Sequence, residues 1–153
     1  MAQFLEFVVN QWVLFLTLFV VVGVLIWDIF GNRIRGINDV PPLEAVRLIN
    51  QEEAVVVDVR ENSEYAEGHI LDAHHMPLGS LAKRANELKK AGDRPLLVVC
   101  RSGKRSAFGC TTLRKQGYEK IYNLKGGMIA WQNANLPVSR ERKEKSKSKK
   151  KGG

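Results

Sequence analysis

A chain of 153 residues, 44% apolar and with a net charge of +8, has room for one ordinary domain and one further segment. The charge argues against nucleic-acid binding by the folded part. Arg140 to Lys151 holds eight Lys/Arg and two Glu, a balance of +6, so the rest of the chain carries only +2. Apolar residues crowd the first thirty positions and nearly vanish after Val138. This leaves residues 37–137 for a single core of a size that folds without disulfides.

Residues 1–6 form a short extension, and Phe7 to Ile29 (FVVNQWVLFLTLFVVVGVLIWDI) reads as a transmembrane helix. These 23 residues include only Asn10, Gln11, Thr17 and Asp28 as polar positions, and about 20 suffice to cross the hydrocarbon core. Trp12 and Trp27 stand near its ends, where indole rings favour the interface. A cleavable signal would need a basic start and a small-residue cleavage site, yet the first twelve residues contain no Lys or Arg. Arg33 and Arg35 follow the span, and only Glu6 precedes it. The positive-inside rule then predicts a single-pass protein with its N-terminus outside and its domain in the cytoplasm, and a short anchor of that orientation without a targeting presequence points to a bacterial inner membrane. Residues 30–36 are expected as a linker.

Pro41-Pro42 before LEAVRLIN marks a helix start, with Leu43, Val46, Leu48 and Ile49 as its apolar face. Ala54 to Val59 (AVVVDV) is a β-branched run, expected as a strand buried on both faces. A helical turn at 63–66, a short strand within 70–76 and a helix at 80–90 follow, the last with Leu81, Ala85 and Leu88 inward. Pro95 to Val99 is a second buried strand. Residues 104–116 read as a helix ended by Gly117, Ile121-Tyr122 as a last strand, and Met128 to Asn133 as a final helix. Strands alternating with helices predict an α/β fold with a mainly parallel sheet. Residues 138–153 form a low-complexity basic tail, expected to be disordered.

The chemistry concentrates where the second buried strand ends. Cys100-Arg101-Ser102-Gly103-Lys104-Arg105-Ser106 leads from that strand into a helix N-terminus, the place where ligands bind in α/β sheets and where backbone N–H groups and the helix dipole favour an anion. Arg101, Lys104 and Arg105 add positive charge, and these effects together favour thiolate over thiol. Gly103 suits a tight loop that needs positive φ. Cys100 is the expected nucleophile, with Arg101 to Ser106 binding substrate. Cys110, inside the helix, is expected to pack in the core. Ten residues apart, the two thiols do not read as a structural disulfide and fit a reducing compartment.

Three stretches in order resemble single-domain rhodaneses. They are Asp58-Val59-Arg60 with Glu64-Tyr65 and Gly68-His69-Ile70; the loop Cys100 to Ser106; and Asn123-Leu124-Lys125-Gly126-Gly127-Met128 with Ala130-Trp131. The resemblance covers about residues 37–137. It implies a rhodanese-like fold, a five-stranded parallel sheet with helices on both faces. It also implies a double displacement: Cys100 takes sulfur from a donor such as thiosulfate and passes it to a thiol or cyanide, with no cofactor or metal. Related phosphatases place five residues between cysteine and arginine. Here four separate Cys100 from Arg105, and by analogy the smaller loop favours sulfur over phosphate. After Ile70 the chain departs from the family's usual G-A-x-N-I-P-like stretch, with Asp72 in place of glycine and His75 in place of asparagine.

Asp58 and Arg60 are expected to support the site as an ion pair at the end of a buried strand. Three histidines, His69, His74 and His75, lack the spacing of a metal site. The basic tail could meet anionic lipid beside a membrane anchor. A membrane-tethered binding module without turnover is the competing function, and the intact cysteine loop favours the enzyme. Protein partners, donor and acceptor are not legible.

Overall fold

A computed structural model of the protein describes residues 12–34 and 37–140, with side chains from 12–27 and 37–140. The chain divides at Ile37/Asn38, and each unit is considered by itself.

In the first unit, helix α1 spans Trp12–Ile34. It runs through Phe30 to Ile34, residues expected as linker. No proline interrupts that stretch, and the single Gly31 costs only about 1 kcal/mol relative to alanine. The span expected at 7–29 does not emerge from the described residues, among which no helix is long and apolar enough to cross a membrane. Side chains of α1 are described from Trp12 to Trp27. Residues 7–11 of the expected span lie outside the described residues.

The second unit is built on five parallel strands: β1 (Asn38–Val40), β2 (Val55–Asp58), β3 (His74–His75), β4 (Leu96–Val99) and β5 (Ile121–Leu124). Their order is β1-β5-β4-β2-β3. All pairings are parallel, with Asp58 beside Val99 and Val98 beside Asn123. β2 and β4 are buried at every position, as their unbroken β-branched and leucine runs require when helices cover both faces.

Helices α2 (Pro42–Gln51), α3 (Asn62–Glu67), α4 (Leu78–Arg84), α5 (Lys104–Lys115) and α6 (Gly127–Asn133) connect the strands. On one face Val56, Leu97, Val99 and Leu124 join Ala45 and Leu48 of α2 and Met128 and Trp131 of α6 in a common core. On the other, α4 and α5 press close. A Cβ on Gly109 would stand 3.2 Å from Val98 and 3.3 Å from Leu81. The apolar face of α2 differs in two residues from expectation: Ala45, not expected there, is buried beside Leu48, whereas Leu43 in the first turn is exposed.

The helix expected at 80–90 is two elements, α4 and a 3₁₀ stretch at Ala85–Ala91. Its buried residues Ala85, Leu88 and Ala91 are three apart, the repeat of a 3₁₀ turn rather than an α-helix. The domain also reaches beyond 137. Ser139, assigned to the tail, exchanges backbone hydrogen bonds with His69 at 2.9 and 2.7 Å, and Val138 packs on the core. Residues 141–153 of the tail lie outside the described residues.

Candidate functional site

Parallel strands deliver their carboxyl ends to one edge, and the order β5-β4-β2 sets three loops side by side there. The central one begins at Cys100, directly after β4. Cys100 is completely buried. Its Sγ accepts a hydrogen bond from the Gly103 N–H at 3.1 Å and one from the Ser106 hydroxyl at 3.3 Å. Gly103 is the residue before α5 and adopts φ +91°, which bends the chain back so that its N–H meets the sulfur of a residue three earlier. The thiol therefore sits off the N-terminus of a twelve-residue helix, where the helix dipole favours negative charge.

The loop's carbonyls are held from outside. Met128 N–H donates to the Cys100 carbonyl at 2.8 Å, and Ile129 N–H to that of Arg101 at 3.1 Å. Gly127 makes this approach attainable: a Cβ there would overlap the Cys100 carbonyl and lie 2.6 Å from the Arg101 carbonyl. Asn123 Nδ2 donates to the Gly103 carbonyl at 3.2 Å and to Asp39 Oδ1 at 2.8 Å. Both contacts are acceptors, so the amide cannot turn over, and Asn123 Oδ1 is left without a donor among the described residues. A buried acceptor in that state costs on the order of 1–3 kcal/mol.

The loop's other members divide. Arg105 joins Glu64 of α3 through two 2.7 Å hydrogen bonds, one from each terminal nitrogen. The Arg105 hydrogen bonds are the main reason the Glu64 carboxyl is held below its usual range, and the same pairing raises Arg105. Arg105 was expected to face an anionic substrate; it is committed to an internal carboxylate instead. Arg101, Ser102 and Lys104 are exposed around the loop.

Asp58 and Arg60 form the expected buried pair. The closest contact is 2.7 Å, and Arg60 also donates to the Gly68 carbonyl at 2.8 Å, so the pair ties β2 to the turn after α3. Tyr65 is sandwiched between the rings of His69 and His75, at 3.8 and 4.3 Å between centroids. Each histidine also has a ring nitrogen on a backbone carbonyl, His69 on Tyr65 and His75 on Arg60. Those contacts give both rings a structural role. Cys110 is buried against the Tyr122 carbonyl, and burial above all, with the Asp39 charge second, pushes its thiol up to about 12.

Asn123, Gly127 and Glu64 were not among the expected site residues. All three lie within the family-like stretches, but their roles depend on contacts across the fold. Glu64 and Arg105 are 41 positions apart.

A parallel α/β domain with a buried cysteine set in backbone and hydroxyl donors at a helix N-terminus is thus the class of protein defined here. The chain belongs to the rhodanese-like domain family, whose pattern it matches over residues 42–134. It is 41% identical over 92 residues to a sulfurtransferase of Allochromatium vinosum, covering 60% of this chain and 84% of that protein. It is 31% identical over 101 residues to a thiosulfate sulfurtransferase of Actinobacillus pleuropneumoniae, covering 66% and 92%. Among solved structures, a rhodanese-related protein from Thermoplasma volcanium superposes with a TM-score of 0.62 at 27% identity, over 68% of this chain and 99% of that one.

Proposed function

We propose that this protein is a sulfurtransferase that carries sulfane sulfur on Cys100, with its N-terminal helix as a membrane anchor. The observation that carries the reading is the pair of donors on Cys100 Sγ, Gly103 N–H and the Ser106 hydroxyl, at the N-terminus of α5. Donors so placed hold negative charge on the Cys100 sulfur as it attacks and as it leaves. The sulfurtransferase names of the relatives agree with it.

The Cys100 thiolate attacks the outer sulfur of a donor such as thiosulfate. The S–S bond of the donor breaks, sulfite leaves with the electron pair, and Cys100 becomes a persulfide. A thiolate or cyanide then attacks the outer sulfur, the Cys100 thiolate leaves, and the enzyme is restored. Gly103 and Ser106 hold the charged sulfur in both halves. Arg101, Ser102 and Lys104 supply the exposed, mostly cationic rim that draws in an anionic donor, and Arg105 acts there only by exchanging Glu64 for the donor. Asp58 and Arg60 support the neighbouring strand end.

Support for the anchor lies in the apolar run from Phe7 to Ile29 and in the hydrogen bond of Thr17, whose hydroxyl donates to the Val13 carbonyl at 2.6 Å within α1. A polar group that satisfies itself inside the helix suits an apolar surrounding. Arg33 and Arg35 favour a cytoplasmic domain at a cell inner membrane, with the basic tail near anionic lipid.

The test is the intact mass of the full chain after brief exposure to thiosulfate and desalting. A gain of about 32 Da, one persulfide sulfur, that cyanide removes and Cys100→Ser lacks is the expected result. No gain with thiosulfate or with a small-molecule persulfide would mark a tethered binding module instead.

A further inference from the structure

The Asn123 amide is oriented by two acceptors on opposite errands, one on the edge strand and one in the cysteine loop. Asn123 is 1% exposed and stands on β5, with Asp39 of edge strand β1 as its cross-strand neighbour. Asp39 Oδ1 and the Gly103 carbonyl, at 2.8 and 3.2 Å, both take hydrogen bonds from Asn123 Nδ2. An oxygen at that place would face a carboxylate and a carbonyl, so the nitrogen must stay there.

Gly103 is joined to Lys104 by a trans peptide. In a trans peptide the C=O and N–H run antiparallel in one rigid plane. Holding the Gly103 carbonyl therefore fixes the direction of the Lys104 N–H. The Gly103 carbonyl also accepts from Ala107 N–H at 3.3 Å, so it points down α5, and the Lys104 N–H of the same peptide plane points off the helix N-terminus. The same logic applies where Met128 and Ile129 hold the carbonyls of Cys100 and Arg101: the Arg101 and Ser102 N–H groups turn away from α6. Asn123 is the side chain that completes this set.

We infer that Asn123, itself oriented by Asp39, is a positioning residue that aims the Lys104 N–H at the negative charge of an anion bound beside Cys100. It touches no reacting atom. Its effect is selective, because a fixed N–H dipole helps an anionic reagent and does little for a neutral one. Only the thiosulfate arm of the test rests on the sulfur-transfer reading.

The experiment compares alkylation of Cys100 in the full chain by iodoacetate, which carries one negative charge, and by iodoacetamide, which is neutral and nearly the same shape. Labelling at Cys100 is followed by mass. In Asn123→Ala the ratio of iodoacetate rate to iodoacetamide rate should fall about tenfold, the equivalent of weakening one charge-assisted hydrogen bond. Thiosulfate kcat/KM should fall in parallel. Asp39→Ala, at an exposed edge position, should lower the ratio in the same direction by less, and it decides the question if Asn123→Ala does not fold. An unchanged ratio in a folded variant, even with a lowered Tm, would make Asn123 merely structural and overturn the inference. A lowered ratio in a chain whose wild type gains no sulfur from thiosulfate or from a small-molecule persulfide would instead keep the inference and sink the sulfurtransferase reading.

Discussion

Cys110 lies on the inner side of α5, its Sγ 3.7 Å from the Tyr122 carbonyl and without the helix-terminal amides that Cys100 receives. Burial and the Asp39 charge push its thiol up to about 12 from an ordinary 9.0. Below pH 9 it therefore keeps its proton, and the proposed persulfide is expected at Cys100 rather than at Cys110. Cys110→Ser should retain most sulfur transfer while losing about 1–2 kcal/mol of stability, since a hydroxyl replaces a sulfur in a mostly apolar site. The sign of its pH effect follows from linkage. The folded state holds the proton more tightly than the unfolded one, so the Cys110 contribution is intact below about 9 and is lost as pH rises toward about 12. Denaturation midpoints of wild type and Cys110→Ala, measured from pH 8 to 11, should show a steeper alkaline decline in wild type; parallel curves would contradict the assignment. At this scale Cys100 was legible from its own neighbours, because a strand end, a glycine and three cations are local facts. The occupation of Arg105 by Glu64 was not, since it exists only once α3 and α5 are packed together.

The cysteine loop keeps its shape because α6 presses its first turn against it. Gly127 stands at that contact with φ +57°. Gly127→Ala meets two penalties, a left-handed backbone that costs about 1–2 kcal/mol for a residue with a Cβ and an overlap with the Cys100 and Arg101 carbonyls. The expected loss of more than about 2 kcal/mol should come with loss of persulfide formation, because the overlapping groups are those that orient the loop. Gly117 is the control, with φ +93° and nothing within 4 Å of an added Cβ. Gly117→Ala should cost only the backbone part and leave persulfide formation intact, as urea melts and intact mass would show together. Elements with strong local signals were readable, among them β2, β4 and α5. β1 was missed, because Asn38-Asp39-Val40 has no apolar alternation and becomes a strand only by pairing with β5. β3 shrank to His74–His75 for the same reason, as an edge defined by β2. The break between α4 and the 3₁₀ stretch could have been seen in the spacing of Ala85, Leu88 and Ala91, which repeats by three where an α-helix repeats by 3.6.

At the scale of the whole chain, two parts with opposite solvent demands share one sequence. The domain buries its apolar residues, whereas α1 exposes them: Phe19 is 76% and Trp27 70% exposed. An apolar surface of that extent in water drives association with a bilayer or with other copies. Three features favour the bilayer. The apolar sequence continues back to Phe7, adding length to the described stretch. Leu, Ile, Phe and Val each contribute roughly −0.3 to −0.6 kcal/mol at the centre of a membrane helix, and Thr17, the hydroxyl in this stretch, is already satisfied by Val13. Arg33 and Arg35 supply the one-sided positive flank. Expressed in a bacterial cell, the full chain should sediment with membranes, resist an alkaline carbonate wash and be released by detergent. A variant lacking residues 1–36 should remain in the supernatant and still gain sulfur at Cys100, because Gly103 and Ser106, the donors to that sulfur among the described residues, belong to the second unit. Release of the full chain by carbonate would mean that α1 rests on a surface or on another copy rather than crossing the bilayer, and the anchor would have to be abandoned while the chemistry at Cys100 stood.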